Sequence, residues 1–228
     1  MTAEQVKVCT EAAHKLGKKA CAHVESPEGV KVAVENGVDS IEHGAYIDQE
    51  TINVLKKHNG VVVLTISPAI PVINFDCGFE DQDMAVANGK ALGSGMIQCA
   101  KECLKNGIKL GLGTDTGCPF VTHYDTWREF EYFHHYLEIT REEALYLGTL
   151  NNAEIIGKEN ETGSLEVGKS ADFIVTSKNP MDGFDALRKL DMVSLRGKII
   201  NNPEPKRNAS VDEVLDDFYY NKLESDVL

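Results

Sequence analysis

The chain has 228 residues, 42% of them hydrophobic, which is enough to bury a substantial core in one large domain or in one domain with a small appendage. Its formal net charge of -13 argues against a nucleic-acid-binding surface, which carries basic patches. The longest apolar runs, such as residues 61–66, are too short to span a bilayer, and the N-terminus lacks a signal peptide's apolar core. We therefore expect a cytoplasmic protein with neither a nucleic-acid nor a membrane partner.

The first part of the chain alternates between helical and strand patterns, which is typical of βα units around a parallel sheet. Helical spacing of apolar residues over 3–16 ends at Gly17, a residue suited to the end of a helix. Ser26 followed by Pro27 predicts the start of a second helix, and Asp48 predicts the start of a third. The predicted elements are strands over 19–23, 39–42 and 61–65 and helices over 3–16, 26–37 and 48–58.

The alternation of helical and strand patterns is interrupted after the third predicted strand. Residues 66–82 contain two prolines and a glycine among scattered apolar residues, which predicts a long loop of the kind that often forms a lid or binding segment. A helix over 84–106, a strand over 109–114 and a helix over 124–137 follow. The strand patterns up to this point number four, and a closed barrel of parallel strands needs about twice as many. The sequence therefore predicts half of an α/β barrel.

The alternation changes after Thr140, where we expect a helix through Leu150 and a short one over 151–156. Two short strands are predicted on either side of the turn at Arg196 and Gly197. Residues 203–209 resemble a linker, and residues 211–223 have the pattern of an amphipathic helix that docks rather than catalyses.

The six cysteines include no Cys-x-x-Cys pair, so we expect reduced thiols. Cys99 and Cys103 lie one helical turn apart and are expected in the core or partly buried.

Three short stretches place a potential metal ligand at the end of a predicted strand. They are Ala-His23-Val-Glu-Ser-Pro, Ser-Ile-Glu-His43-Gly and Leu-Gly-Leu-Gly-Thr-Asp115-Thr-Gly. In parallel α/β barrels the catalytic groups collect at the carboxyl ends of the strands. Each residue also has a structural explanation, because a single histidine often forms only local hydrogen bonds and an aspartate before Thr-Gly often caps a turn.

These stretches, in this order, resemble the second half of the metal site in the amidohydrolase superfamily, and most closely its imidazolonepropionase and prolidase-like members. The segment 162–176 also resembles the stretch by which these proteins leave the barrel and enter a small β-sandwich. The resemblance implies the C-terminal half of a TIM-type (β/α)8 barrel over 1–160, with its fifth to eighth βα units. Residues 161–203 would then contribute to the β-sandwich, and 204–228 would form a linker and terminal helix.

The resemblance also implies roles for the three residues. His23 and His43 occupy the fifth- and sixth-strand positions that bind one metal. Asp115 occupies the eighth-strand position that binds the other metal and takes a proton from the bridging water. Imidazole and carboxylate ligands with a position left for water suit a divalent metal, zinc above all. The superfamily's first-strand His-x-His pair and fourth-strand lysine have no counterpart in these residues.

His123 and Tyr124 lie beyond Asp115 in a segment similar to the loop that flanks the substrate in superfamily members. We predict that both contact the substrate, although helix capping by Asp125 and local packing would also account for the segment.

Three functions remain open at this stage. The first is hydrolysis of an amide or dipeptide C–N bond by metal-activated water, with Asp115 passing the proton to the leaving nitrogen. The second is a catalytically inactive fragment whose open sheet edges drive association. The third is a deaminase or cyclic-imide hydrolase on the same scaffold, since one barrel hosts many reactions. In each case we expect a homo-oligomer or a separate N-terminal half as partner, because a half-barrel leaves strand edges open.

Overall fold

The computed structural model describes residues 1–226 and Leu228. The chain forms two compact units, one from Met1 to Gly113 together with Leu228, and the other beginning at Thr114.

The first unit contains a parallel sheet whose strands stand in chain order. Its four strands are β1 (Cys21–Val24), β2 (Ser40–His43), β3 (Val61–Leu64) and β4 (Lys109–Leu112). Because all four run in the same direction, their carboxyl ends meet at one edge of the sheet. The short β-branched and aliphatic strands are buried at alternate positions, with Ile41, Val62 and Leu64 fully enclosed.

Five helices connect and cover these strands: α1 (Ala3–Lys15), α2 (Pro27–Glu35), α3 (Gln49–His58), α4 (Ala69–Asn74) and α5 (Gln82–Asn106). The predicted helix starts are confirmed, since Ser26 Oγ accepts a hydrogen bond from the Gly29 amide at 3.1 Å and Asp48 Oδ1 accepts one from the Thr51 amide at 2.8 Å. The last turn of α5 ends at Gly107, whose φ of 65° is a conformation that glycine adopts without steric cost.

The prediction of a structureless loop over 66–82 is partly wrong. Residues 69–74 form α4, which buries Ala69, Ile70 and Pro71 and packs against α5. The cluster of prolines suggested a loop, but Pro71 lies in the first turn of the helix, where its missing N–H is tolerated. The apolar residues of α4 are therefore buried by the packing of α4 against α5, and they do not line an open loop.

The second unit combines a helical cluster with a small antiparallel sheet. Its sheet consists of β5 (Phe173–Val175), β6 (Met192–Leu195) and β7 (Lys198–Asn201), and the two strands predicted around Arg196 are confirmed. Its helices are α6 (Trp127–Leu137), α7 (Arg141–Tyr146), α8 (Asn152–Ile155) and α9 (Ala209–Asn221), with a π-helical segment Leu147–Asn151 and 3-10 helices Phe184–Arg188 and Leu223–Ser225.

Two predicted helix boundaries in this unit differ from the structure. The helix expected from Tyr124 begins at Trp127, because the Asp125 carboxylate accepts hydrogen bonds from side chains instead of capping the backbone. The break expected near Leu150 is a π-helical segment that joins α7 to α8. Such segments interrupt a helix without ending it.

The α/β class with a parallel sheet is therefore confirmed, and the completion of this sheet into a barrel and of β5–β7 into a sandwich stay predictions. Within residues 1–226 and 228, no helix is long and apolar enough to cross a membrane. All six cysteines are free, and Cys99 and Cys103 are buried as expected.

Candidate functional site

His23 and His43 lie side by side at the carboxyl edge of the parallel sheet. Their ring centroids are 4.7 Å apart and the ring planes meet at 72°. The strand register places His23 beside Glu42 and Val24 beside His43, so the two histidines are offset by one residue on neighbouring strands. The side chain of His23 is 69% exposed and His43 is half-buried. The two histidines are thus close to each other at the carboxyl edge of the sheet in the first unit, and their role as site residues stays a prediction.

The backbone at His43 adopts an uncommon conformation. Its φ is 69°, and the Gly44 amide donates a hydrogen bond to the Glu42 carbonyl at 2.9 Å, which closes a three-residue turn centred on the histidine. Turns of this kind with positive φ are rare and strained. The residue after His43 is a glycine with little space around it, since a Cβ at Gly44 would lie 3.2 Å from Cys99 Sγ and 3.3 Å from Val62 Cγ1. Strain of this type is concentrated at functional sites.

The two imidazole rings have different polar neighbours. His43 Nδ1 lies 2.7 Å from the hydroxyl of Thr65, and this leaves its Nε2 available. His23 Nε2 is 4.0 Å from the Glu25 carboxylate. At His43 the partner of Nδ1 is the hydroxyl of Thr65, whereas the second nitrogen of a metal-binding histidine commonly pairs with a carboxylate, a backbone carbonyl or water. Glu42 accepts a hydrogen bond from Ser40 Oγ at 2.7 Å.

The histidine pair fits part of a metal-binding site. Two imidazoles held at adjacent strand ends are donors suited to zinc, which takes about four ligands in total. Within the described residues no group of three or more His, Cys, Asp or Glu side chains is arranged to hold a metal ion. His23 and His43 would therefore supply two ligands of a larger set.

Asp115 is exposed at the start of the second unit and also has a positive φ, of 49°. Its carboxylate accepts a hydrogen bond from Cys118 Sγ at 3.2 Å, and its carbonyl accepts one from the Cys118 amide at 3.3 Å. The turn that the sequence suggested as an alternative is therefore present. Burial, together with the neighbouring Asp115 carboxylate, raises the pKa of the Cys118 thiol to about 11. The placement of Asp115 next to the histidine pair stays a prediction.

The two residues predicted to contact substrate differ in their surroundings. His123 is exposed and lines a cavity of about 680 Å³ together with Arg188, Leu190, Ile200 and Lys206. The Tyr124 hydroxyl donates to Asp212 Oδ1 at 3.1 Å and accepts from the Asn208 amide at 2.8 Å. The Arg207 guanidinium carbon also lies 4.4 Å from the centre of the Tyr124 ring. Tyr124 thus holds the residues around the start of α9, and its hydroxyl is already engaged within the chain.

A charged cluster that the sequence did not reveal ties α9 to α6. Asp125, 5% exposed, accepts hydrogen bonds from Trp127 Nε1 at 2.9 Å and from Arg207 at 2.9 Å. Arg128, 2% exposed, binds the Asp216 carboxylate and donates to the Leu215 carbonyl at 3.1 Å. These partners are more than 80 positions apart in several cases, so no local pattern could reveal them. The docking role expected for the terminal helix is explained by these contacts.

The four histidines on helices differ in their surroundings. His14 and His58 are exposed, and His14 Nε2 lies 2.8 Å from Asp39 Oδ2. His134 and His135 are half-buried instead, with His134 Nδ1 2.6 Å from the Ile139 carbonyl and His135 Nε2 3.1 Å from the Asp226 carbonyl. Neither belongs to the histidine pair on the sheet.

Comparison with known proteins identifies the family to which this chain, with its parallel sheet and paired histidines, belongs. The chain belongs to the amidohydrolase family, whose profile matches residues 1–202. The crystal structure of a candidate prolidase from Bifidobacterium longum is similar over 96% of this chain, with 38% identity and a TM-score of 0.90. A Xaa-Pro dipeptidase crystallised with methionine in its active site is similar over 89% of this chain, with 27% identity and a TM-score of 0.79. The ochratoxinase of Aspergillus niger is 27% identical over 206 residues, or 88% of this chain.

The chain spans about half the length of these proteins. It covers 56% of the Bifidobacterium protein, 49% of the dipeptidase and 42% of the ochratoxinase. The predicted resemblance to the prolidase-like part of the family is therefore confirmed, for a segment of the family's full length.

Proposed function

We propose that this chain provides the C-terminal half of a metal-dependent amidohydrolase that cleaves a C–N bond in a small amide or dipeptide. The observation that carries the proposal is the edge-to-face pair of His23 and His43 at adjacent strand ends, in a chain of the amidohydrolase family. The sheet β1–β4 then represents the fifth to eighth βα units of a TIM-type barrel. The division into residues 1–160, 161–203 and 204–228 is part of the same proposal.

In this proposal each residue has a defined task. His23 and His43 bind one divalent metal, and their imidazole nitrogens favour zinc. A divalent metal held there supplies Lewis-acid chemistry to a substrate carbonyl and lowers the pKa of water. Asp115 is the second-metal ligand and general base, and its carboxylate takes the proton of the attacking water and passes it to the leaving nitrogen. His123 and Tyr124 contact the substrate. Both line the cavity described above, and the side chain of His123 is exposed there.

Dipeptides are the substrates best supported, because the structures at 38% and 27% identity are described as a candidate prolidase and a Xaa-Pro dipeptidase. The alternatives are deamination or cyclic-imide hydrolysis by the same residues, and an inactive fragment that associates through its open sheet edge. The remaining metal ligands would come from an N-terminal half or from another copy of the chain.

The proposal is tested with purified chain supplied with zinc and incubated with Xaa-Pro dipeptides, other dipeptides and N-acyl amino acids. Mass spectrometry of the products should detect hydrolysis that is lost in His43→Ala and Asp115→Asn. His58→Ala, which changes an exposed histidine on α3, should retain it. Hydrolysis that persists in both site variants would contradict the assignment. Zinc binding without hydrolysis of any substrate, both for the chain alone and after addition of an N-terminal half, would favour the inactive fragment.

A further inference from the structure

Thr65 is the residue that follows β3, and it is only 4% exposed. Its hydroxyl oxygen is 2.7 Å from His43 Nδ1, which makes it the neighbour that determines how this ring is oriented. A buried hydroxyl at that distance forms a strong, directional hydrogen bond. The residue therefore acts on the candidate metal ligand without belonging to the ligand set.

The rotamer of Thr65 is fixed by packing on its other side. A Cβ at Gly113 would lie 2.9 Å from Thr65 Cγ2 and 3.0 Å from Val63 Cγ1, so the threonine methyl occupies space that only glycine leaves open. The Gly113 amide also donates to the Leu64 carbonyl at 2.8 Å, which keeps the two segments in register. Since a β-branched side chain has little freedom at χ1, seating the methyl against Gly113 also fixes the direction of the hydroxyl.

A fixed partner matters because the His43 backbone does not favour one ring position by itself. The residue is the centre of a strained turn with φ of 69°, outside the strand geometry that would orient its side chain. The hydrogen bond from the ring to Thr65 supplies the restraint that the strand cannot. In metal-binding histidines the second ring nitrogen commonly donates its proton to a neighbour, and this sets the tautomer.

We propose that Thr65 is the positioning residue of the histidine pair: its hydroxyl oxygen accepts a hydrogen bond from the Nδ1–H of His43, so that the Nε2 lone pair is presented for metal binding. The inference rests on the proposed function and adds to it the residue that selects the competent tautomer. Gly113 contributes to the positioning of Thr65, because the absence of a side chain at Gly113 leaves space for the threonine methyl group.

The test compares Thr65→Val, which keeps the shape and removes the hydroxyl, with Thr65→Ser, which keeps the hydroxyl and removes the methyl. The tautomer of His43 is measured by nitrogen NMR on the full chain without metal, at a pH where the ring is neutral. Zinc affinity is measured separately by calorimetry. We expect Nδ1 to carry the proton in the unmodified chain and in Thr65→Ser, and the Nε2-protonated form to increase in Thr65→Val.

The zinc affinity of Thr65→Val should fall about 10- to 100-fold, as for other partners of metal-binding histidines, while Thr65→Ser should recover most of it. Gly113→Ala provides a second route, because the added Cβ displaces the Thr65 methyl with the hydroxyl intact, and it should change the tautomer in the same direction. The proposal is overturned if His43 of the unmodified chain is protonated at Nε2, or if Thr65→Val leaves tautomer and affinity unchanged.

If the proposed metal-dependent function is wrong, the tautomer and zinc measurements give a different combination of results. If the tautomer responds to Thr65→Val but zinc does not bind the unmodified chain, then Thr65 orients His43 as proposed and the metal-dependent function is what fails.

Discussion

The side-chain amide of Gln98 pairs with both backbone polar groups of Ile47, accepting from its N–H at 2.9 Å and donating to its carbonyl at 3.0 Å. Gln98 lies on α5, and Ile47 lies three residues beyond the Gly44 turn that follows His43. One helical turn away, Gly95 approaches so closely that a Cβ there would lie 2.9 Å from the Tyr46 amide nitrogen. The helix thus provides the segment after His43 with the hydrogen bonds that a neighbouring strand would otherwise supply.

Replacing Gln98 with leucine should destabilise the fold by about 2 kcal/mol, because two polar groups of the buried Ile47 backbone lose their partners. Urea denaturation measures the loss, and hydrogen exchange should accelerate at the Ile47 amide. Ser94→Ala changes an exposed residue one turn earlier on α5 and should shift stability by less than about 0.5 kcal/mol. Equal stability of the two variants would mean that the Gln98 pairing does not hold this segment.

Metal binding by the chain alone should be weak or of partial occupancy, since His23 and His43 supply only part of a zinc ligand set. Elemental analysis after dialysis against a mild chelator measures the retained metal. His23→Ala and His43→Ala should each lower it further, and His58→Ala should not. Stoichiometric, tightly held metal would instead mean that the missing ligands are dispensable or come from another copy.

Asp115 should lie close to the metal bound by the histidine pair, at the neighbouring second metal position, because in the family's arrangement all three residues lie at strand ends of one barrel. Titration with Mn²⁺ should broaden the NMR signals of His23, His43 and Asp115 together, at concentrations that leave His58 sharp. Broadening of the two histidines without Asp115 would remove the aspartate from the proposed site.

The packing of α9 against α6 should weaken at acidic pH. Burial alone would raise the pKa of Asp216, but hydrogen bonds from Arg128 and Arg188 outweigh it and hold the pKa below its ordinary value of 3.8. A carboxylate with a lowered pKa stabilises the fold above its unfolded-state value, and this contribution is lost as the pH falls through the folded-state value. Asp216→Asn should therefore lower the melting temperature at neutral pH, with the difference shrinking below about pH 4.

Thermal unfolding of both proteins between pH 7 and pH 2 tests this expectation. The matched control is Glu213→Gln, an exposed position on the same helix, which should remain close to the unmodified chain throughout. If the difference in melting temperature between Asp216→Asn and the unmodified chain stayed constant down to pH 2, the charge of Asp216 would not be the cause of that difference.

The chain should associate in solution. β1 has a single strand neighbour in the described part of the sheet, and an outer strand offers backbone groups to another chain. Parallel sheets are normally covered on both faces, so a copy of the chain or an N-terminal partner should complete this one. Light scattering over a dilution series should give a mass above that of one chain, and a cooperative monomer at micromolar concentration would contradict this.

Much of the local structure could be predicted from the sequence because its signals are local. Ser26 with Pro27, Asp48 and Gly17 mark helix ends through hydrogen bonds and dihedral preferences that span a few residues. The strand ends at His23 and His43 follow from the alternation of apolar runs and turns. The prolines near α4 misled the prediction because burial against α5, a tertiary effect, outweighed their usual preference for loops.

What the sequence determined by itself is most of the helices and strands and the family, and it also predicted the two histidines as site residues. Only the tertiary structure decided that Thr65 holds His43, that Gln98 supports the following segment, and that Tyr124 and Arg128 serve the attachment of α9. The physical reason is range. Helix and strand preferences act over a few neighbouring residues, whereas these contacts join residues 22 to 88 positions apart, and their geometry exists only once strands and helices have packed.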